Sequence, residues 1–163
     1  MAMLSVEECV GERSPGRLLR RINKLLLIRM KARFADAELS FVEFMALKLL
    51  RDEVSASAGE LARDMHINTG ATTRLIDGLE QKGLLERDRS SADRRVVRLT
   101  LTKSGEAKYI EKVPIMVAQW NEVLAGFDQS EADTLMYLLS KMLDSMERVT
   151  GFENDHGAEL NAA

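Results

Sequence analysis

The chain has 163 residues, of which 45% are hydrophobic and 30% are charged, and its formal net charge at pH 7 is −3. This length and hydrophobic content suit one globular domain or compact subunit with an ordinary core, and they exclude an intrinsically disordered chain. The acidic balance excludes a uniformly basic protein, so a nucleic-acid-binding function requires a local concentration of Lys and Arg.

The sequence lacks the signals of membrane, disulfide and metal-binding proteins. No stretch approaches the roughly 20 uninterrupted apolar residues of a transmembrane helix, and residues 1–11 lack the basic and apolar regions of a signal peptide. We therefore expect a cytoplasmic protein with no membrane partner. Cys9 is the single cysteine, which excludes an intramolecular disulfide and a Cys/His zinc cluster. We expect no metal and no cofactor.

Positive charge is concentrated in two segments of this acidic chain. Residues 13–33 contain eight Lys and Arg and no acidic residue, and residues 82–103 contain seven Lys and Arg against three acidic residues. A charged segment by itself usually forms a solvated helix face. The second segment gains significance because it directly follows the helical pair described below.

Two amphipathic helices are predicted in the first third of the chain. Ser14 followed by Pro15 is typical of an N-cap and the first helical residue, and it predicts a helix to about residue 35. In this helix Leu and Ile recur at helical spacing, with arginines and a lysine between them. Ser40 and Glu43 form a capping box that predicts a second helix of about three turns.

The next two predicted helices are short and are joined by a tight turn. A capping box beginning at Ser57 starts a helix through about Met65, and residues 66–68 form the turn. Thr69 is the expected N-cap of the following helix, which ends at about Lys82, just before a glycine. Two short helices connected in this way are typical of a helix-turn-helix.

A β-hairpin is predicted directly after the second of these helices. Residues 84–88 and 96–101 have the character of strands, and the second is rich in β-branched residues and alternates apolar with polar positions. Residues 89–95 form a polar, arginine-rich loop between them. A hairpin in this position is the wing of a winged helix-turn-helix.

Two long helices are predicted in the last third of the chain. Thr102 is the expected cap of a helix over about 103–125, which Pro114 should bend. Asp128 begins a helix through about residue 148 with a continuous apolar stripe. These stripes exceed what one small winged domain can cover, so we expect them to pack against a second copy of the chain. The alternative is that they cover the winged domain of their own chain.

The predicted fold is therefore mainly α with a small β-hairpin wing, a winged helix-turn-helix domain with a helical dimerisation region. We assign residues 1–35 to an N-terminal arm and dimerisation helix and residues 36–102 to the winged helix-turn-helix. Residues 103–150 are assigned to the C-terminal dimerisation helices, and residues 151–163, which are small, polar and acidic, to a flexible tail.

The motifs of the central segment, taken in their order along the chain, resemble the MarR family of bacterial transcriptional regulators. The resemblance is dense over about residues 60–105, and residues 41–50 match the preceding helix of that family. The residues that carry it are Glu60-Leu61-Ala62, Thr72-Thr73-Arg74-Leu75-Ile76-Asp77, Leu79-Glu80-Gln81-Lys82-Gly83-Leu84-Leu85-Glu86-Arg87, Asp93-Arg94-Arg95, Leu99-Thr100 and Gly105.

The resemblance implies a DNA-binding regulator and not an enzyme. Family members are homodimers that bind double-stranded DNA at pseudo-palindromic operators. Their recognition helix enters the major groove and their wing reaches the adjacent minor groove. They usually repress transcription and leave the DNA when a small effector, often aromatic or phenolic, binds between the dimerisation helices and the winged domain.

The N-terminal half of the recognition helix is expected to face the bases. Hydroxyl and methyl groups of threonine, and the forked guanidinium of arginine, are suited to base edges and phosphates. Gly70 has no side chain and would contribute close approach of the backbone. Two alternatives remain: Thr69 only caps the helix, and Arg74 pairs with Asp77. The predicted contacts are Asn68, Thr69, Gly70, Thr72, Thr73 and Arg74.

Four residues of the wing loop are also predicted to serve DNA binding. By resemblance to the family, Asp93 braces Arg95, whose guanidinium enters the minor groove. A narrow minor groove concentrates negative potential and attracts such a group without a base-specific partner. Arg94 and Arg89 are expected to contact phosphates.

An anionic effector could be held by basic side chains outside the wing. The candidates are Arg17, Arg20 and Arg21 on the first predicted helix, and His66 in the turn. The alternative for the arginines is solvation or contact with phosphate, and for His66 a role in the turn alone.

Other function classes were also considered. Some members of the family sense peroxides through an N-terminal cysteine, which makes Cys9 a candidate redox sensor; however, the tyrosines that accompany it there are missing near the first helices. The sequence offers no metal cluster, phosphate loop or nucleophile elbow for an enzyme. A winged-helix module that binds proteins instead of DNA is a further alternative, against which the arginine-rich wing argues.

Overall fold

The computed structural model describes residues 4–35, 38–52, 56–88 and 97–151. The chain divides into two compact units, residues 1–115 and 116–163. The prediction of a mainly helical fold with one antiparallel hairpin is confirmed. In chain order the described elements are α1 (Val6–Val10), α2 (Pro15–Arg33), α3 (Phe41–Arg51), α4 (Ala58–Asp64), α5 (Thr69–Gln81), β1 (Leu85–Asp88), β2 (Arg98–Leu101), α6 (Lys103–Val123) and α7 (Gln129–Thr150).

Local hydrogen bonds at the helix N-termini explain where most of these helices begin. The predicted capping box before α3 is present: the Ser40 hydroxyl accepts from Glu43 N–H, and the Glu43 carboxylate accepts from Ser40 N–H at 2.8 Å. Asp128 and Glu131 form the same arrangement before α7. Ser5 and Glu8 cap α1, a short helix that was not predicted.

The core of the first unit is built around three stacked aromatic rings. Phe44 lies between Phe34 and Tyr109, with ring centroids 5.2 Å and 5.1 Å away. Leucines and an isoleucine from α3, α4, α5 and the hairpin fill the space around the rings. The fully buried members of this core include Leu39, Leu47, Leu61, Ile76, Leu79 and Leu85.

The hairpin of β1 and β2 is antiparallel, with Leu85 opposite Leu101 and Asp88 opposite Arg98. Its second strand also bonds to the segment that precedes α4, because Leu99 N–H donates to the Ala56 carbonyl at 2.9 Å. The predicted strands match β1 and β2 closely, while the predicted loop 89–95 and Val96 lie outside the described residues.

The start of α6 is pressed against the chain that links α5 to β1. The Thr102 hydroxyl donates to the Gly83 carbonyl at 2.6 Å and accepts from Gly105 N–H at 3.0 Å, so Thr102 caps α6 as predicted. A Cβ atom on Gly105 would lie 2.0 Å from the Leu84 carbonyl oxygen. Only glycine permits this approach. Pro114 lies within α6, and the bend expected there stays a prediction.

Two helices leave their apolar residues uncovered in the single chain. In α2 only Met30 is buried, and in α7 no residue is. The exposed apolar side chains of α2 include Leu18, Leu19, Ile22, Leu25 and Ile28, and those of α7 include Met136, Leu138, Leu139, Met142, Leu143 and Met146.

Candidate nucleic-acid interface

The helices α4 and α5 and the turn between them form the predicted helix-turn-helix. The turn closes with a hydrogen bond from Ile67 N–H to the Ala62 carbonyl at 3.0 Å. His66 adopts a φ of 51°, in the left-handed region that few residues other than glycine and asparagine occupy. Leu61 of α4 and Ile76 of α5 are both buried, so the two helices pack through apolar side chains.

The cap of α5 lies one residue earlier than the sequence suggested. The Asn68 side chain accepts from Ala71 N–H at 2.9 Å, and Thr69 is the first helical residue. The prediction that Thr69 is the N-cap was therefore wrong. Both residue types cap helices well, but Asn68 has the extended backbone that an N-cap requires. Its amide is engaged in the helix, and Thr69 has its side chain on the exposed surface.

The outer face of α5 carries most of the predicted recognition residues. Thr69, Gly70, Thr73 and Arg74 are exposed. The Thr73 hydroxyl donates to the Thr69 carbonyl at 3.0 Å, which leaves its oxygen able to accept a further hydrogen bond.

Thr72 is the predicted contact that the structure does not place on this face. It is 1% exposed, and its hydroxyl donates to the Asn68 carbonyl at 3.0 Å. The physical reason is helical geometry: position 72 points in the same direction as the buried Ile76 and Leu79. In this structure Thr72 is part of the packing between α5 and the core.

Arg74 and the acidic residues of α5 have different roles. The sequence left open a pair between Arg74 and Asp77, but Asp77 instead accepts from Arg87 of β1, and so does Glu80. Within the described residues Arg74 forms no ion pair. Its guanidinium is therefore available on the outer face of the helix.

Arg87 joins the first strand of the hairpin to α5. Its guanidinium donates to both Asp77 and Glu80, and the hydrogen bond to Asp77 is the main cause that raises its pKa above the ordinary arginine value. An arginine fork that bridges two carboxylates fixes geometry better than a lysine would. The wing therefore begins from a strand that is fastened to the recognition helix.

Lys82 fastens the opposite end of α5. Its ammonium donates to the Glu43 carboxylate at 2.7 Å and to the Glu38 carbonyl at 2.9 Å. Burial, the largest single influence, raises the pKa of Glu43, but hydrogen bonds from Lys82 and Ser40 together lower it below the ordinary glutamate value. Sequence reasoning missed these contacts because the partners are 39 and 44 positions apart.

The remaining predicted site residues fall into two groups. The wing residues Arg89, Asp93, Arg94 and Arg95 lie outside the described residues. The four effector candidates are not brought together: Arg17, Arg20 and Arg21 are exposed on α2, and His66 is exposed in the turn before α5. Cys9 is exposed on α1.

Comparison with known proteins extends this description to most of the chain. The MarR family model matches residues 39–97. The transcriptional repressor NicR of Pseudomonas putida is 29% identical over 133 residues, which are 81% of this chain and 84% of that protein. No helix among the described residues has the length and apolar character to cross a membrane.

Solved structures of the same type superpose on this chain. A cysteine-to-serine mutant of MarR of E. coli, in complex with operator DNA, aligns with a TM-score of 0.67 and 25% identity, over 86% of this chain and 99% of that one. BpsR of Bordetella bronchiseptica, whose DNA binding is regulated by 6-hydroxynicotinic acid, aligns with a TM-score of 0.65 and 29% identity, over 88% and 99%. Together with the helix-turn-helix and hairpin described above, these likenesses show that the chain belongs to the MarR family of DNA-binding transcriptional regulators.

Proposed function

We propose that this protein represses transcription by binding a pseudo-palindromic operator in double-stranded DNA as a homodimer, and that a small effector releases it. The observation that carries the proposal is the outer face of α5, which is exposed and presents an unpaired arginine among the described residues. The similarity to NicR, a repressor, and to MarR bound to operator DNA supports the same interpretation.

In this proposal the first turns of α5 lie in the major groove. Thr69 and Thr73 offer hydroxyls and methyl groups, and Arg74 offers a bidentate fork for guanine or phosphate. Gly70 supports close approach: a Cβ there would meet nothing nearer than the Asn68 side-chain oxygen at 3.5 Å, so the chain itself has room for alanine. Glycine costs a helix about 1 kcal/mol relative to alanine, and a nearby DNA backbone would account for its use.

The wing is proposed to reach the minor groove. Arg95 would enter the groove, Asp93 would orient it, and Arg94 and Arg89 would contact phosphates. This assignment is supported by the sequence pattern and by the position of β1, which Arg87 holds against α5.

Dimerisation is proposed to occur through α2 and α7. Exposed apolar stripes of this size normally mark an interface, and in both helices the polar positions lie between such stripes. We assign α2 and α7, with the C-terminal part of α6, to the dimerisation region, and residues 36–102 to DNA binding.

The effector is proposed to be a small organic acid. BpsR, whose DNA binding responds to 6-hydroxynicotinic acid, supports this class. Arg17, Arg20, Arg21 and His66 remain candidates from the sequence for holding such an acid. The protein is further proposed to act in the cytoplasm and to catalyse no reaction.

The test is binding of the purified protein to a labelled duplex from upstream of its own gene, measured by fluorescence anisotropy at two salt concentrations. A DNA-binding dimer gives a steep fall in affinity with salt, because phosphate contacts release counterions. A winged-helix module that binds only proteins gives no such dependence.

Two variants assign the contacts. Arg74→Ala and Arg95→Ala should each weaken operator binding by about tenfold or more. The matched control is Arg148→Ala on α7, which removes an exposed arginine from a helix assigned to dimerisation. Operator affinity unchanged in both Arg74→Ala and Arg95→Ala would refute the assigned interface.

A further inference from the structure

A cavity lies where the end of α3 meets the second strand of the hairpin. Its volume is about 430 Å³, which is within the range of small-molecule sites. The described residues that line it come from α3, from the segment before α4, from β2 and from the first turn of α6. They include Leu50, Arg51, Ala56, Arg98, Thr100, Leu101 and Glu106.

The cavity combines an apolar wall with a small number of polar groups. Leu50, Ala56 and Leu101 supply the apolar surface, and Thr100 supplies a hydroxyl. Small-molecule sites typically have this composition, in which the apolar surface gives affinity and a few polar groups fix orientation.

One of the two arginines in the cavity is already neutralised. Arg51 Nε donates to Glu106 Oε1 at 2.7 Å, and its guanidinium lies 5.2 Å from the centre of the Tyr109 ring. The hydrogen bond to Glu106 is the main cause that raises the pKa of Arg51. This pair contributes no net charge to the cavity.

The second arginine carries a positive charge that the described residues do not balance. Arg98 is exposed, and among the described residues it forms no ion pair, although Asp88 stands opposite it in the hairpin. A cavity with an apolar wall, a hydroxyl and one unbalanced guanidinium is complementary to a small monocarboxylic acid. The carboxylate would bind Arg98 and Thr100, and the hydrocarbon part would contact Leu50 and Leu101.

We propose that this cavity is an effector site for a small aromatic monocarboxylic acid, at a place none of the sequence candidates occupies. The inference rests on the proposed ligand-released DNA binding and assigns the position of the ligand. The site lies at the root of the wing, since two of its polar groups belong to β2.

Contacts described above connect this cavity to the recognition helix. Leu99 of β2 stands opposite Arg87 of β1, and Arg87 donates to Asp77 and Glu80 of α5. An acid that pulls Arg98 and Thr100 toward α3 would therefore shift β2, then β1, then the anchor of the wing on α5. Release follows if the acid binds the shifted arrangement more tightly than the DNA-bound one.

The experiment is titration calorimetry of the free, full-length protein with benzoate and 6-hydroxynicotinate at constant ionic strength. Benzamide, which keeps the ring but lacks the charge, is the ligand control. We expect at least one acid to bind wild type and benzamide to bind at least tenfold more weakly. Arg98→Gln should weaken binding of that acid at least tenfold, whereas Arg148→Gln should leave it unchanged.

Operator release by the same acids separates this inference from the proposed function. If an acid releases wild type and Arg98→Gln from DNA at the same concentration, effector control stands but this cavity is not its site. If neither acid binds a wild-type protein that does bind its operator, the ligand class assigned to the cavity is wrong. If the protein binds no operator DNA while Arg98 still determines acid binding, the cavity is supported and the proposed function fails.

Discussion

The recognition helix α5 and the C-terminal helix α7 are both amphipathic, but only α5 is covered by its own chain. Ile76 and Leu79 of α5 are buried, whereas α7 has 22 residues and buries none of them. The polar side of α5 is also fastened, by Arg87 and Lys82, while the exposed apolar side of α7 includes Leu139 and Leu143. The difference indicates that α5 is positioned before any partner binds, and that α7 requires a second copy to complete its packing.

The largest expected effect breaks the packing that positions α5. Gly105→Ala places a Cβ 2.0 Å from the Leu84 carbonyl oxygen, so the start of α6 must move away from the chain that follows α5. We expect a loss of unfolding free energy of about 3 kcal/mol, the upper end for overpacking. Chemical denaturation measures it.

The control for this variant is Gly78→Ala within α5, where a Cβ meets nothing within 4 Å. Because alanine favours a helix over glycine, this control should be neutral or stabilising by up to about 1 kcal/mol. Equal stability of the two variants would contradict the tight contact at Gly105.

The next effect breaks the interface proposed for α7. Leu139→Glu puts a carboxylate in the exposed apolar stripe, where a second subunit would have to bury it without a partner. We expect the dimer to dissociate at micromolar concentration, as measured by sedimentation. Lys141→Glu introduces the same group on the other side of α7 and should leave the dimer intact; dissociation of both variants alike would argue against a defined interface.

A smaller effect loosens the wing without unfolding the helix-turn-helix. Arg87→Met removes the hydrogen bonds from β1 to Asp77 and Glu80. Operator affinity should fall by about tenfold, which corresponds to about 1.4 kcal/mol, while stability falls by about 1 kcal/mol at most because the pairs are partly exposed. Arg87→Lys should restore part of the affinity, and full affinity in Arg87→Met would show that the anchor is not needed.

The smallest effect concerns acid sensitivity at the start of α4. A hydrogen bond from Ala56 N–H is the main cause that lowers the pKa of Glu60, with help from Ser57. A lowered folded-state pKa means that the ionised form stabilises the fold above the unfolded-state pKa of about 4.3, and that this stability is lost as pH falls through the folded-state value. The stability of Glu60→Gln should therefore depend less on pH below about 4.5 than that of wild type, as measured by denaturation at several pH values. Identical profiles would contradict this role.

Much of this fold could be predicted because the determining signals are local. Capping boxes at Ser40 and Asp128, the tight turn after α4 and the alternation in β2 are each readable within a few residues. The missed helix α1 carried the same kind of signal in Ser5 and Glu8, which was not used.

The site was harder to predict because its details depend on contacts distant in sequence. Arg87, Lys82 and Arg51 look like solvated charges until their partners are known, and those partners are 7 to 55 positions away. Thr72 was misplaced for another reason: adjacent threonines at 72 and 73 are chemically equal, and only the direction of the buried face separates them. The wing residues Arg89 to Arg95 stay predictions.

The two carboxylates held by Arg87 have a consequence for how this protein approaches its ligand. The helix α5 contains one arginine and two acidic residues, so alone it would carry net negative charge toward a polyanion. Repulsion between carboxylates and phosphates acts over about 8 to 10 Å at physiological salt. Because Arg87 neutralises part of this charge from the neighbouring strand, the helix can come close to the double helix without that barrier, and Arg74 presents the only formal charge that is left unpaired among the described residues of α5.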